Sequence, residues 1–252
     1  MSAKPGCSAC GNALAKELCS GCKVAVYCGK DCQREHWKTH KPQCAALKKS
    51  RPEKVAEMQN AVGLQYFDSA ATVQNAELTM AFFRQAAENG DVNAACNLGT
   101  MLVEKLMRQY QHHCSATAGR HFTTIDATNT VENFNSVTVA SRGKTRAMGT
   151  VAAASAGMLE GSALAVARDE AVECVKWFTF SADGNWGKGC FNLAVVYQNG
   201  ILVPRDMKKA KFLFARCLTC GDPEVRKAAK FSLETASSFE NAGFVTFPLL
   251  HP

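Results

Sequence analysis

Apolar and polar positions change their rhythm along this chain, and the rhythm divides it. Up to residue 47 apolar residues are sparse (Leu14, Leu18, Val24, Val26, Tyr27, Trp37), and only Lys23-Val24-Ala25-Val26-Tyr27 reads as a β-prone run. From Pro52 to Ala70 the spacing of Val55, Met58, Val62, Leu64 and Tyr66 predicts a helix that begins at Pro52. Beyond it, aromatic and alanine positions alternate at helical spacing, ended by glycine and reopened by aspartate.

Those helical stretches repeat. Val166-Ala167-Arg168-Asp169 and Val203-Pro204-Arg205-Asp206 lie 37 residues apart, as do Trp177 and Phe214, and Gly184 and Gly221. Ala81 to Gly90 aligns with Lys176 to Asn185, and Asn97-Leu98 with Asn192-Leu193, at an offset of 95. The excess over one period, about 58 residues, predicts an insertion between the first unit and the second. Each unit has the grammar of a helical hairpin. Asp169 and Asp206 can cap a first helix, Gly90, Gly184 or Gly221 ends it, and a second helix follows. Such units cannot bury their apolar faces alone and stack into a solenoid. The expected organisation is a finger over 1–47, a connector and helix over 48–70, and a first repeat over 71–108. An insertion over 109–165, repeats over 166–202 and 203–238, and a tail over 239–252 complete it. The fold class is therefore mostly α.

Composition changes the picture in the insertion and at the N-terminus. Between Ser115 and Gly157 stand nine Ala, eight Thr, four Ser and four Gly, too little apolar surface to offset ordering entropy. An unstructured surface loop and translated intervening sequence both fit. The tail carries Phe244, Phe247, Leu249 and Leu250 and is expected to cap the last repeat. The apolar stretch nearest to a membrane span, Thr150 to Ala167, is broken by Glu160. With no apolar leader and no Asn-X-Ser/Thr acceptor, an intracellular protein, cytoplasmic or nuclear, is expected. The formal net charge of +7 lies entirely within residues 1–54, with eleven Lys and Arg against four Asp and Glu.

Seven of the thirteen cysteines fall in the first 44 residues. Cys7-x2-Cys10, Cys19-x2-Cys22, Cys28-x3-Cys32 and His40-x3-Cys44 are four pairs at zinc-ligand spacing, enough for two closed tetrahedra. With every coordination position filled by protein, two structural zinc ions are expected, and they must supply most of the folding free energy of so small a segment. Bound thiolates would also cancel much of the local positive charge, which weakens the case for nucleic acid. His36 breaks the paired spacing and is expected to be exposed.

The ligand pairs together with Tyr27-Cys28, Cys32-Gln33, Trp37 and His40-Lys41 resemble the MYND zinc finger over residues 7–44. The resemblance implies an interleaved pairing, with Cys7, Cys10, Cys28 and Cys32 on one zinc and Cys19, Cys22, His40 and Cys44 on the other. It also implies binding of short proline-containing peptides. Val24 and Val26 would offer an open strand edge, and Gln33 and Trp37, one helical turn apart, would project together. The 37-residue period, Ala-Ala-Glu-Asn-Gly, Asn-Leu-Gly and the connection Asn199 to Asp206 resemble Sel1-like repeats, which implies a solenoid that binds proteins.

Catalytic patterns are weak beside these. Cys217-x2-Cys220 is expected inside a helix, where the two thiols share a face. His112-His113-Cys114 opens the insertion without rigid support, and Cys96, Cys174 and Cys190 read as core. No phosphate-binding glycine loop and no Gly-x-Ser-x-Gly occurs. A lysine methyltransferase of the SET type, in which MYND fingers also occur, would need a β-rich catalytic domain for which the helical repeats leave no room. The expectation is a non-catalytic adaptor with protein partners and no small-molecule substrate, membrane or nucleic acid. A DNA-associated transcriptional regulator with a basic finger is the alternative.

Overall fold

A computed structural model describes residues 6–13, 15–68, 73–118, 162–200 and 203–239. It contains a short antiparallel strand pair, β1 (Glu17–Leu18) and β2 (Val26–Tyr27), with Leu18 opposite Val26. Among the described residues eight helices follow: α1 (Lys30–Lys49), α2 (Pro52–Asp68), α3 (Val73–Glu88), α4 (Val92–Ala118), α5 (Ser162–Asp183), α6 (Gly187–Asn199), α7 (Met207–Cys217) and α8 (Pro223–Phe239). The chain is mostly helical, as its periodicity predicts. It forms two compact units that divide within α4, between Leu98 and Gly99. No helix of the described residues is long and apolar enough to cross a membrane.

In the first unit, α1 extends for 20 residues, well beyond the turn that carries Gln33 and Trp37. It runs through Pro42, whose missing N–H leaves one helical bond unmade, and takes in most of the basic stretch up to Lys49. The break comes at Ser50, whose N–H bonds the Leu47 carbonyl, and Pro52 opens α2.

The buried face of α2 differs from the predicted stripe. Ala56, Gln59, Asn60, Gly63 and Tyr66 face inward, whereas Met58 is exposed and Val55, Val62 and Leu64 are half-buried. The reason lies on α3, where Phe82 and Phe83 are fully buried and need small partners. A Cβ on Gly63 would stand 2.7 Å from the Phe83 ring. The polar residues on this face are satisfied: Gln59 donates to Gln85 Oε1 at 3.2 Å and accepts from Asn89 at 3.0 Å. Helix α2, expected as a helix of the connecting segment and outside the repeats, is thus half of a tight hairpin with α3.

In the second unit, α5 to α8 pack in sequence around Cys174, Phe178, Ala182, Phe191, Phe214, Val225 and Ala229. Asp206 caps α7 as expected, accepting from Lys209 N at 3.0 Å. Asp91 and Asp222 do the same for α4 and α8, each accepting from two backbone N–H groups. Asp169 caps nothing, because α5 starts seven residues earlier.

The hairpin turns repeat more faithfully than the glycines suggested. Asp91 N bonds Ala86 O and Trp186 N bonds Ser181 O, with Gly90 (φ +99°) and Asn185 (φ +58°) in the left-handed position. The helix-ending residue of the later hairpin is therefore Asn185 rather than Gly184. Helix α7 stops at Cys217, so Gly221 lies beyond a further turn. The low-complexity stretch between residues 119 and 161 and the tail from 240 lie outside the described residues.

Candidate metal centre

Two Cys-x2-Cys turns build the N-terminal site in the same way. Gly11 N bonds Cys7 O at 2.8 Å, and Lys23 N bonds Cys19 O at 2.9 Å. The residue after the second cysteine is left-handed in both, at φ +74° for Gly11 and +57° for Lys23. This turn aims both sulfurs of a pair at one point. The second halves come from elsewhere: Cys28 follows β2 directly, Cys32 sits in the first turn of α1, and His40 and Cys44 lie one turn apart on the buried face of α1.

The result is two four-ligand clusters, Cys7, Cys10, Cys28 and Cys32 in one, and Cys19, Cys22, His40 and Cys44 in the other. The interleaved pairing is the one that spacing alone leaves open. Sulfurs of Cys10 and Cys28 are 3.6 Å apart, those of Cys10 and Cys32 3.9 Å, and those of Cys19 and Cys44 3.9 Å. His40 Nε2 lies 3.4 Å from Cys19 Sγ and 3.5 Å from Cys22 Sγ. A tetrahedron with zinc–sulfur bonds of about 2.3 Å has S···S edges of about 3.8 Å, and an imidazole corner gives S···N edges of about 3.6 Å. The donor sets fit two structural zinc ions, and when bound each ion supplies a closed four-ligand crosslink.

The electrostatics fit the same chemistry. For Cys7, burial opposes ionisation, but backbone N–H groups of Cys10 and Ala9 outweigh it and hold the thiol down at about 6. Cys19 is likewise held at about 6, where burial is outweighed by Cys22 N–H and His40. Their neighbours move the other way. Hydrogen bonding to Cys10 pushes Cys28 up to about 12, burial and the Cys19 sulfur push Cys44 up to about 11, and Cys32 also rises beside Cys7. Sulfurs crowded this closely cannot all ionise without a cation between them.

Residues around the clusters lock their geometry. The Tyr27 hydroxyl hydrogen-bonds His36 Nδ1 at 3.0 Å, and the His36 ring stacks on His40 at 5.7 Å. His36 is half-buried as a support for the ligand, not exposed as the spacing argument had it. Gln33 donates from Nε2 to Cys19 Sγ at 3.6 Å.

Of the other expected contact residues, Trp37 is 41% exposed on α1 and Val24 is half-buried. Val26 is 3% exposed, and its edge is taken: Ser8 N donates to Val26 O at 2.8 Å and Ser8 Oγ accepts from Val26 N at 3.3 Å. The strand is not open at that residue. Nothing in the sequence around Ser8 signals this pairing, which depends on the first Cys-x2-Cys turn folding back over β2.

The finger shares its core with the helices behind it. Cys7, Cys19, Cys22, Val26, Tyr27 and Cys44 form one buried cluster with Tyr66, Leu78 and Phe82. Tyr66 stacks on Phe82 at 5.7 Å and its hydroxyl donates to Gly6 O at 3.4 Å, while Gln59 Nε2 reaches Lys23 O at 3.5 Å. Cys217 ends α7, whereas Cys220 lies in the turn beyond it, off the helix expected to hold both.

Comparison with known proteins agrees with this architecture. Residues 7–44 match the MYND finger family, and residues 56–91 and 187–222 match the Sel1 repeat. The chain thus carries a MYND finger followed by Sel1 repeats, and both are protein-interaction modules. The matched repeats coincide with the tight pairs α2–α3 and α6–α7: the first takes in the helix expected in the connecting segment 48–70, and the second starts on the second helix of the repeat expected over 166–202. The histone-lysine N-methyltransferase ASHR1 of Arabidopsis thaliana is 38% identical over 53 residues, 21% of this chain and 11% of that protein. The dauer abnormal formation protein 25 of Caenorhabditis elegans is 48% identical over 42 residues, 17% of this chain and 11% of that protein. SET domain-containing protein 14 of the same organism is 42% identical over 43 residues, 17% of this chain and 10% of that protein. The chain spans about a tenth of the length of these relatives. No solved structure matches it.

Proposed function

We propose that this protein is a non-catalytic adaptor of the cytoplasm or nucleus, whose finger reads a short proline-containing peptide while its helical repeats hold a second protein. The observation that carries this reading is the position of Trp37. It is the one large apolar side chain of the described finger left 41% exposed, in a segment that can bury few others. A solvent-facing indole next to a rigid metal crosslink suits a proline ring, which stacks on aromatic faces and is already ordered before it binds. Gln33, one turn earlier and anchored on Cys19, adds a polar group whose carbonyl oxygen is free to face a peptide N–H. With the edge at Val26 closed by Ser8, Val24, two residues before β2, is the remaining position of that run for a peptide to meet.

Closed coordination argues against catalysis at either zinc, because four protein ligands leave no position for water or substrate. The test is a nitrogen-proton NMR titration of the full-length, zinc-loaded chain with a Pro-x-Leu-x-Pro peptide at low and moderate salt, run beside a duplex DNA. Saturable shifts at the Trp37 indole, Gln33 and Val24 that survive salt are expected. An unmoved spectrum with peptide, or DNA binding that collapses steeply with salt, overturns the reading in favour of a structural or nucleic-acid role for the finger.

A further inference from the structure

The second unit holds a thiol cluster that neither the finger nor the repeat fold requires. A pocket of about 250 Å³ is lined by Asn185, Gly187, Cys190, Arg216, Cys217 and Cys220, with Thr219 at its rim. Cys190 comes from α6, Cys217 from the last turn of α7, and Cys220 from the turn beyond. Gly187 draws them together: its carbonyl accepts from Cys217 Sγ at 3.7 Å, and a Cβ placed on it would stand 2.9 Å from Cys220 Sγ. Cys190 and Cys217 line the same pocket, where Cys190 Sγ donates to Ala182 O at 3.6 Å. Arg216 is fixed over the pocket by bonds to Ala182 O at 2.8 Å and Asn185 Oδ1 at 3.0 Å. Asn185 and Thr219 are exposed, so the pocket reaches solvent, although Cys190 and Cys217 are buried in its wall.

We infer that Cys190 and Cys217 are a peroxide-sensitive pair that closes to a disulfide between α6 and α7. The Cys190 sulfur attacks a peroxide oxygen, so that an S–O bond forms, the O–O bond breaks, and the departing hydroxide takes up a proton as water. The Cys217 sulfur then displaces hydroxyl from the Cys190 sulfenic acid; an S–S bond forms, and the second water leaves with the Cys217 proton. Two electrons pass from the thiol pair to the peroxide. The neighbouring Cys217 thiol and the charge of Arg216 outweigh burial and hold the Cys190 thiol down at about 7, while Cys217 is pushed up beside it, which divides the roles into attacking and resolving sulfur. Cys174, buried on α5 away from the pocket, is pushed up by burial and by Glu173 and Glu170 and serves as an internal reference.

The test treats the full-length, zinc-loaded protein with hydrogen peroxide and maps crosslinks by mass spectrometry after alkylation, while a chromogenic chelator reports zinc release. A Cys190–Cys217 crosslink that forms before the finger loses zinc is expected. Cys190 should also react about tenfold faster than Cys174 with a sulfenic-acid trap present. In Cys217→Ser the trap should accumulate on Cys190 and the crosslink vanish; the crosslink map of the unmodified protein stands even if that variant folds poorly. A Cys217–Cys220 crosslink in its place, zinc loss first, or a Cys190 no faster than Cys174 overturns the assignment.

Discussion

Gly99 of α4 lies flush against the ring of Phe178 on α5: a Cβ added to the glycine would stand 2.7 Å from Phe178 Cε1 and 2.8 Å from Cδ1. The same contact occurs one repeat earlier, where Gly63 of α2 meets Phe83 of α3 at the same two distances. Phe83 and Phe178 are 95 residues apart, the offset at which the first and second repeats align. A glycine on one helix receiving a phenylalanine from the next is thus the packing element that the repeat conserves within itself.

Gly99→Val is expected to destabilise the second unit by about 2 kcal/mol, since overpacking a closed contact outweighs the gain in helix propensity. Gly221→Ala is the control, because a Cβ there meets nothing within 4 Å and the backbone is not left-handed. Urea unfolding followed by circular dichroism at helix wavelengths should separate the two. Equal midpoints for both variants would mean that Phe178 moves aside freely.

The pairing of Gly99 with Phe178 also bears on the long stretch between them. Lys105 pairs with Glu170 at 2.6 Å, and Asn192 donates to Thr100 at 3.2 Å, so α4 meets both α5 and α6 through described residues alone. Replacing residues 119–161 with a flexible Gly/Ser linker should leave helicity intact and keep unfolding cooperative. Closing a shorter loop costs less entropy, so stability should stay level or rise by up to about 1 kcal/mol. Loss of the cooperative transition in differential scanning calorimetry would show that the excised stretch carries part of the core.

What the sequence made legible, and what it hid, follows from how local each constraint is. Coordination fixes ligand identity and spacing within a few residues, so all eight ligands could be read, while their interleaved pairing needed the resemblance. A repeat announces itself by comparison with its own copies, so the hairpins and the 95-residue offset were visible. Features set by distant partners were not. The buried face of α2 follows from Phe82 and Phe83 on α3, and the closing of the Val26 edge follows from Ser8. The support that His36 gives to His40 follows from Tyr27, which comes from β2. Cys220 left its expected helix because α7 ends at Cys217, in a sequence whose cysteine spacing looks the same either way.

Zinc binding should release protons at neutral pH. Cys28 at about 12, Cys44 at about 11 and the raised Cys32 hold their protons in the metal-free clusters and must give them up as ligands. Acid restores the competition, so apparent zinc affinity should fall as pH falls and rise as pH rises. Titration calorimetry in buffers of different ionisation enthalpy measures the protons directly. A heat independent of the buffer would show that the thiols are already ionised before the metal arrives.

Gln33 and Trp37 sit one turn apart on α1 and should separate in their effects. Gln33→Ala removes the donor to Cys19 Sγ, and the zinc held by Cys19, Cys22, His40 and Cys44 should be bound about tenfold more weakly. Trp37→Ala should leave zinc affinity unchanged, because the indole only meets His40 edge-on at 6.0 Å. Competition with a chelator of known affinity reads both. Equal losses in the two variants would make Trp37 a support of the metal site and remove it as a free contact surface.

The finger and the first helical pair should unfold together, because Tyr66 belongs to both. Its ring stacks on Phe82 within α2–α3, and its hydroxyl reaches Gly6, next to the first zinc ligand. Tyr66→Phe keeps the ring and loses one hydrogen bond at the long end of the range, which should cost about 1 kcal/mol or less. Tyr66→Ala opens a cavity in the buried cluster that Tyr66 shares with Cys7 and Cys22 and should cost about 3 to 5 kcal/mol. In that variant chelation should extract zinc faster as well, since the ligands lose the packing that holds them converged. Chelator-driven zinc release and helix unfolding, measured on the same sample, should shift in step in Tyr66→Ala. Release that stays at the rate of the unmodified protein while the helices loosen would show that the finger holds its metal independently of the core it shares.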